Sequence, residues 1–194
     1  MHSTISLLKS HRFLPMILSG CLSVINVNII RQSILLVVTY KVLLNSDSAF
    51  YWGSILGALY FLPSFLFSVV AGELADKLSK ARLFQLTRAT QIPICILMAI
   101  TLMQEQPNLY ILAGILFLMA TNDAFFSPVR YAILPEYLPK DKLVMGNGIL
   151  ESSNLIAIAA GIGMASLIDY TSQGPLIVST LLLTFSLGAY AFSL

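Results

Sequence analysis

Asn28, Arg31 and Gln32 stand at i, i+3 and i+4 in the stretch NVNIIRQS, within an apolar run that begins at Phe13 and continues to Leu44. On a helix those three side chains share one face. A guanidinium beside two carboxamides is a donor set for an anion. Inside a bilayer an arginine costs about 2.5–3.5 kcal/mol on insertion scales, so Arg31 should face water or a negative charge. Two carboxylates in later apolar runs, Asp123 and Glu151, are candidate counter-charges. The plainer reading is a structural ion pair that holds helices together. The two roles are compatible, because an arginine can exchange a carboxylate for a phosphate.

Other chemistry finds little support. Neither His2 nor His11 begins an H-x-x-x-x-D acyltransferase pattern, since Leu7 and Met16 stand where the aspartate belongs. No glycine-rich phosphate loop ending in Lys-Ser/Thr is present. Cys21 and Cys95 have no CxxC spacing and no neighbouring histidine, so they read as small buried hydrophobes. No enzyme activity, metal or cofactor is therefore expected. The string LSGC, Leu18 to Cys21, resembles a lipoprotein cleavage box, but the apolar sequence before it is short, contains Pro15 and runs on past Cys21.

The elements that must position these residues are membrane helices. Of 194 residues, 57% are hydrophobic and 10% charged, against roughly a quarter charged in soluble domains. The net charge of +2 gives no case for a nucleic-acid partner. A bilayer core needs about twenty mostly apolar residues per helix. Six candidate spans fit, at 13–44, 51–72, 83–103, 109–127, 143–168 and 175–194. The polar pieces between them are too short to fold alone, so 1–194 reads as a single transmembrane domain, an all-α bundle of six helices. Lys9 and Arg12 precede the first span; Lys77, Lys80 and Arg82, with Arg88 close by, mark the second connection; Arg130, Lys140 and Lys142 mark the fourth. The first, third and fifth connections hold no lysine or arginine. This asymmetry predicts a multi-pass protein with a cytoplasmic N-terminus. Pro63, Pro93 and Pro128 predict kinks, and Ala157, Gly161 and Ala165 predict close packing of the fifth span.

The segment GELADKLSKAR, Gly72 to Arg82, resembles a loop pattern of the major facilitator superfamily, G-x-L-A-D-R-x-G-R-[KR]. Gly72, Leu74, Ala75, Asp76 and the cations Lys77, Lys80 and Arg82 match, and Ser79 replaces the usual glycine. Gly72 would allow close helix approach, while Asp76 with Lys80 and Arg82 would form a cytoplasmic gate that breaks as two halves rock.

Two further stretches are similar to the lysophospholipid transporter family within that superfamily. AFFSPVRYAILPEYL, Ala124 to Leu138, resembles FFGPVKYGILPQHL, and KLVMGNGILESSNLIAI, Lys142 to Ile158, resembles LVGGNALVExxxxLAI. Pro128, Arg130, Tyr131 and Pro135, with Asn147, form the matching cytoplasmic loop motif. The family's first-helix pattern F-N-D-N-x-x-[KR]-Q aligns on Ile25 to Gln32, with Val27 in place of its acidic residue. Glu151 occupies the family's glutamate position and is for that reason preferred over Asp123 as the counter-charge.

The resemblance implies twelve helices in two halves around a central cavity, and flipping of lysophospholipid across the bacterial inner membrane. Asn28, Arg31, Gln32 and Glu151 would then meet the substrate. The chain ends where the resemblance places the end of the sixth helix, so it reads as an N-terminal half, partnered by a second six-helix half or by self-association. A membrane scaffold without transport, the relic of a truncated transporter, is the alternative.

Overall fold

The computed structural model of the protein describes residues 13–42, 48–168, 170 and 173–194. Helix α1 spans Phe13–Val37 and runs on as a π-helical turn, Val38–Val42. Helices α2 (Ser48–Lys77), α3 (Lys80–Leu102) and α4 (Leu109–Ala132) follow. A short helix α5 (Leu134–Tyr137) and a 3₁₀ turn (Lys140–Lys142) lead into α6 (Leu143–Ser166) and α7 (Gly174–Ala191). Six of these helices are long and apolar enough to cross a membrane, and the described residues contain no strand. In hydrocarbon only a closed hydrogen-bonding scheme is stable, and the helix supplies it within one segment.

Local chemistry sets several boundaries. The Asn108 carboxamide caps α4, its oxygen accepting from the Tyr110 and Ile111 backbone N–H groups at 2.9 and 3.4 Å. Pro135 and Pro175 lie in the first turns of α5 and α7, where a missing N–H removes no helical bond. Pro63, Pro93 and Pro128 lie inside α2, α3 and α4.

The boundaries differ from the sequence expectation where polar residues extend a helix past its apolar part. Helix α2 continues through Lys77 and α4 through Ala132. Asp76 and Lys77, and likewise Pro128, Arg130 and Tyr131, are therefore helical and not in loops. Leu43, Leu44, most of the first connection, Asp169 and the basic residues Lys9 and Arg12 lie outside the described residues.

Helix α1 is the central post. It packs against α6, α7 and α4, while α2 packs on α4, and α3 packs on α7 and α4. In its most apolar stretch 61% of α1 is buried, against 17% of α2 and 22% of α6. Those two helices thus turn most of their apolar surface away from this bundle.

The small-residue stripe of α6 faces α1, with Ala157, Gly161 and Ala165 all buried. A Cβ on Gly161 would lie 2.6 Å from the Ile25 carbonyl oxygen and 2.9 Å from Asn28 Cβ, so only glycine permits this crossing. Gly72, by contrast, has nothing within 4 Å of its missing Cβ. Among the described residues no neighbouring helix makes the close approach expected at Gly72.

Two apolar cores stack along the axis. One gathers Ile30, Ile34, Met98, Leu112, Met119 and Leu182. The other gathers Phe13, Phe84, Phe126, Val129, Ile133 and Leu150, at the end that carries α5. Where the two meet along α1, residues 19–28 bring in the buried polar side chains Ser19, Ser23, Asn26 and Asn28.

Candidate functional site

A cavity of about 150 Å³ opens among α1, α2, α4 and α6. Its polar lining comes from Asn28, Arg31, Tyr60, Asp123, Ser127, Arg130 and Asn154, its apolar lining from Val24, Val27, Phe126 and Ile158. A second cleft of about 150 Å³ adjoins it towards the opposite end of the bundle, walled by Ile34, Leu35, Gly53, Leu56, Gly57, Phe61 and Leu116. Arg31 and Tyr60 belong to both linings. The guanidinium of Arg31 lies 5.0 Å from the centre of the Tyr60 ring, close enough for the ring face to attract it. One compartment is rich in charge, the next nearly devoid of it, and a cation on an aromatic ring separates them.

The polar compartment is built on a network at its α5 end. Arg130 donates to Asn154 Oδ1 at 2.8 Å and to the Tyr131 hydroxyl at 2.9 Å. Tyr131 in turn donates to the Glu151 carboxylate. This fixes Arg130 by two of its nitrogens, while its Nε is buried without a partner. Asp123 interacts electrostatically with Arg130 and Arg88 and with Tyr60. Among the described residues it forms no direct ion pair.

Behind this wall lies Arg88, fully buried on α3. Its guanidinium stacks 3.6 Å from the centre of the Phe126 ring and 5.0 Å from that of Phe84. One nitrogen donates to Ser23 Oγ, and that hydroxyl donates to Gln91 Oε1 at 2.8 Å. Arg88 Nε and Nη2 have no hydrogen-bond partner. By its position in the sequence Arg88 groups with the basic connection before it. The structure corrects this: two helical turns into α3, its side chain turns into the core, where aromatic faces replace solvent.

The sequence-predicted residues divide. Asn28 and Arg31 line the cavity together, with the Asn28 carboxamide also donating to the Val24 carbonyl of its own helix at 2.8 Å. Gln32 turns away and donates to Ser166 Oγ at 3.1 Å, tying α1 to the end of α6. Beside it Ser33 and Tyr170 share a 2.7 Å bond; burial pushes the Tyr170 hydroxyl above its ordinary value, and that bond opposes the shift. Asn26 faces α3 and α7, donating to Cys95 Sγ and the Leu182 carbonyl. Glu151 is held by Tyr131 and does not line the cavity, whereas Asp123 does. Of the two carboxylates Asp123 thus shares a cavity with Arg31, while the charges acting on it are those of Arg130 and Arg88.

The gate expected from Asp76, Lys80 and Arg82 is also rearranged. Lys80 pairs with Glu136 of α5 at 3.1 Å, and Lys77 pairs with Glu73 one turn back at 2.6 Å. Among the described residues Asp76 and Arg82 make no ion pair. Pro135 and Asn147 are exposed, outside the cavity. Tyr60 and Asn154 escaped the sequence reading: a tyrosine in a greasy helix carries no charge signal, and Asn154 merges into a polar patch with Ser152 and Ser153.

Comparisons with known proteins bear on this arrangement. The sequence model of the Major Facilitator Superfamily matches residues 16–194. An uncharacterized MFS-type transporter, YjbB of Bacillus subtilis, is 33% identical over 152 residues, 76% of this chain and 36% of the relative. The lysophospholipid transporter LplT of Photorhabdus laumondii is 31% identical over 127 residues, 63% of this chain and 29% of its own length. LplT of Pectobacterium carotovorum is 29% identical over 120 residues, 61% of this chain and 27% of the relative. The aligned region thus spans about a third of the length of these curated relatives.

Proposed function

The chain belongs to the Major Facilitator Superfamily, and on that premise we propose that it forms one half of a transporter for phosphate-bearing amphiphiles of the lysophospholipid type. The observation that carries this reading is the pair of neighbouring compartments that share Arg31 and Tyr60 as a common wall. An amphiphile needs both environments at once. At about 150 Å³ the polar cavity suits a headgroup and not a whole lipid, since sites for complete ligands run to roughly 300–1,000 Å³. Arg31 and Arg130 offer charge-assisted donors to phosphate oxygens, and the apolar cleft receives the start of the acyl chain.

Helices α2 and α6 bury little of their surface within the bundle. In the proposed mechanism they meet a second six-helix unit, and the headgroup site is exposed alternately to the two sides of the bacterial inner membrane as the units rock. The basic residues Lys80, Arg82, Lys140 and Lys142 cluster at the α5 end, which supports a cytoplasmic placement of that end and of the N-terminus. The named lysophospholipid transporters among the relatives favour the same substrate class.

Uptake of labelled lysophospholipid into spheroplasts tests the reading, with the chain expressed alone and with a six-helix second half from a related transporter. Uptake above the level of empty cells, abolished by Arg31→Ala, is the expected result. Absence of uptake in both arms contradicts transport and favours a membrane scaffold.

A further inference from the structure

We propose that the buried Arg88 acts as a fixed positive charge behind the headgroup cavity, selecting headgroups of net charge −1 over zwitterionic ones. The inference rests on reading that cavity as a headgroup site, and it assigns a role to a residue that touches no ligand there.

Three arginines surround the cavity: Arg31 and Arg130 in its lining and Arg88 behind Phe126. Two carboxylates oppose them, Asp123 in the lining and Glu151 one bond removed through Tyr131. One positive charge is in excess. Arginine does not shed its proton in proteins, so the imbalance persists at neutral pH. Arg88 is its source, because burial is complete and its other contacts are a serine hydroxyl and two aromatic rings. Neither Ser23 nor Gln91 carries charge, and two of the guanidinium nitrogens have no hydrogen-bond partner, so Asp123 acts on Arg88 only through space while it also faces Arg130.

A buried charge is screened far less than an exposed one. A headgroup of net charge −1, such as phosphoglycerol, balances the site. A zwitterion such as phosphoethanolamine leaves the excess in place and puts an ammonium among three guanidinium groups. Asp123 works in the opposite sense to Arg88, so the two residues set the selectivity together.

The test is competition binding on the full chain in nanodiscs, with lysophosphatidylglycerol and lysophosphatidylethanolamine of identical acyl chain. Wild type is expected to prefer the glycerol headgroup by about tenfold, a difference of about 1.4 kcal/mol. Arg88→Gln should bring the ratio towards one, and Asp123→Asn should raise it. Opposite shifts from two neighbouring substitutions are not produced by a general loss of structure. If Arg88→Gln fails to fold, the wild-type ratio and the Asp123→Asn shift decide. A wild-type ratio near one, or the same ratio in every folded variant, overturns the proposal alone. No saturable binding of either lipid overturns the headgroup reading, and this inference with it.

Discussion

Arg31 sits 5.0 Å from the centre of the Tyr60 ring, and the two side chains together form the border between a charged cavity and an apolar cleft. The pair brings α1 and α2 together at the point where an amphiphile changes character. A cation over an aromatic face contributes about 0.5–2 kcal/mol, more when water is excluded. Tyr60→Phe keeps the ring and should change lysophospholipid affinity by less than about threefold. Tyr60→Ala removes it and should weaken affinity by about 3–30-fold, read by titration into nanodiscs. Equal effects of the two substitutions would locate the contribution in the hydroxyl instead.

The crossing of α6 over α1 makes a second prediction. A methyl at Gly161 meets the Ile25 carbonyl oxygen at 2.6 Å, backbone that cannot swing aside. Gly161→Ala should therefore lower stability by about 1–3 kcal/mol, the usual range for overpacking. Gly163→Ala, two residues on with open space around it, should be neutral. Thermal unfolding in detergent separates them, and indistinguishable midpoints would mean that α6 does not cross α1 at this distance.

Arg88 gives a prediction in which stability and binding part company. A buried charge that lacks a direct ion pair is costly to keep out of water, so an apolar side chain of similar length in its place relieves that cost. Arg88→Met should leave the melting temperature unchanged or raised, since Ser23 and Gln91 still bond to each other. Binding of anionic lysolipid should fall at the same time. A large drop in melting temperature would show that the guanidinium holds the bundle together.

The Lys80–Glu136 contact joins α3 to α5, but its side chains are 31% and 48% exposed. Exposed pairs are worth about 0–1 kcal/mol and fade as salt is added. A double-mutant cycle on unfolding should return a coupling within that range, and the charge-swapped pair Lys80→Glu with Glu136→Lys should restore it. A coupling above about 2 kcal/mol would make this contact a structural latch.

Much of the fold was legible because the bilayer imposes it. Long apolar runs predicted six helices, and the i, i+3 spacing of Asn28 and Arg31 placed both on a cavity-facing side of α1. Hydropathy failed where polar residues prolong a helix, so the stretch Pro128 to Tyr131 read as a loop although it closes α4. Charge counting failed at Arg88, because a window of composition cannot tell a snorkelling arginine from one packed on Phe126. Spacing likewise could not choose between Asp123 and Glu151. That choice depends on the rotation of α4 against α6, which is set by tertiary packing.

Photo-crosslinking with two lysophospholipid probes tests the paired compartments most directly, one probe carrying its reactive group on the headgroup and the other on the first carbons of the acyl chain. Headgroup adducts are expected on peptides containing Asn28 or Asp123 to Arg130, and acyl adducts on the α2 peptide from Gly53 to Phe61, both suppressed by unlabelled lysophospholipid. Adducts spread evenly over the exposed faces of α2 and α6, or a reversed pattern, would contradict that arrangement.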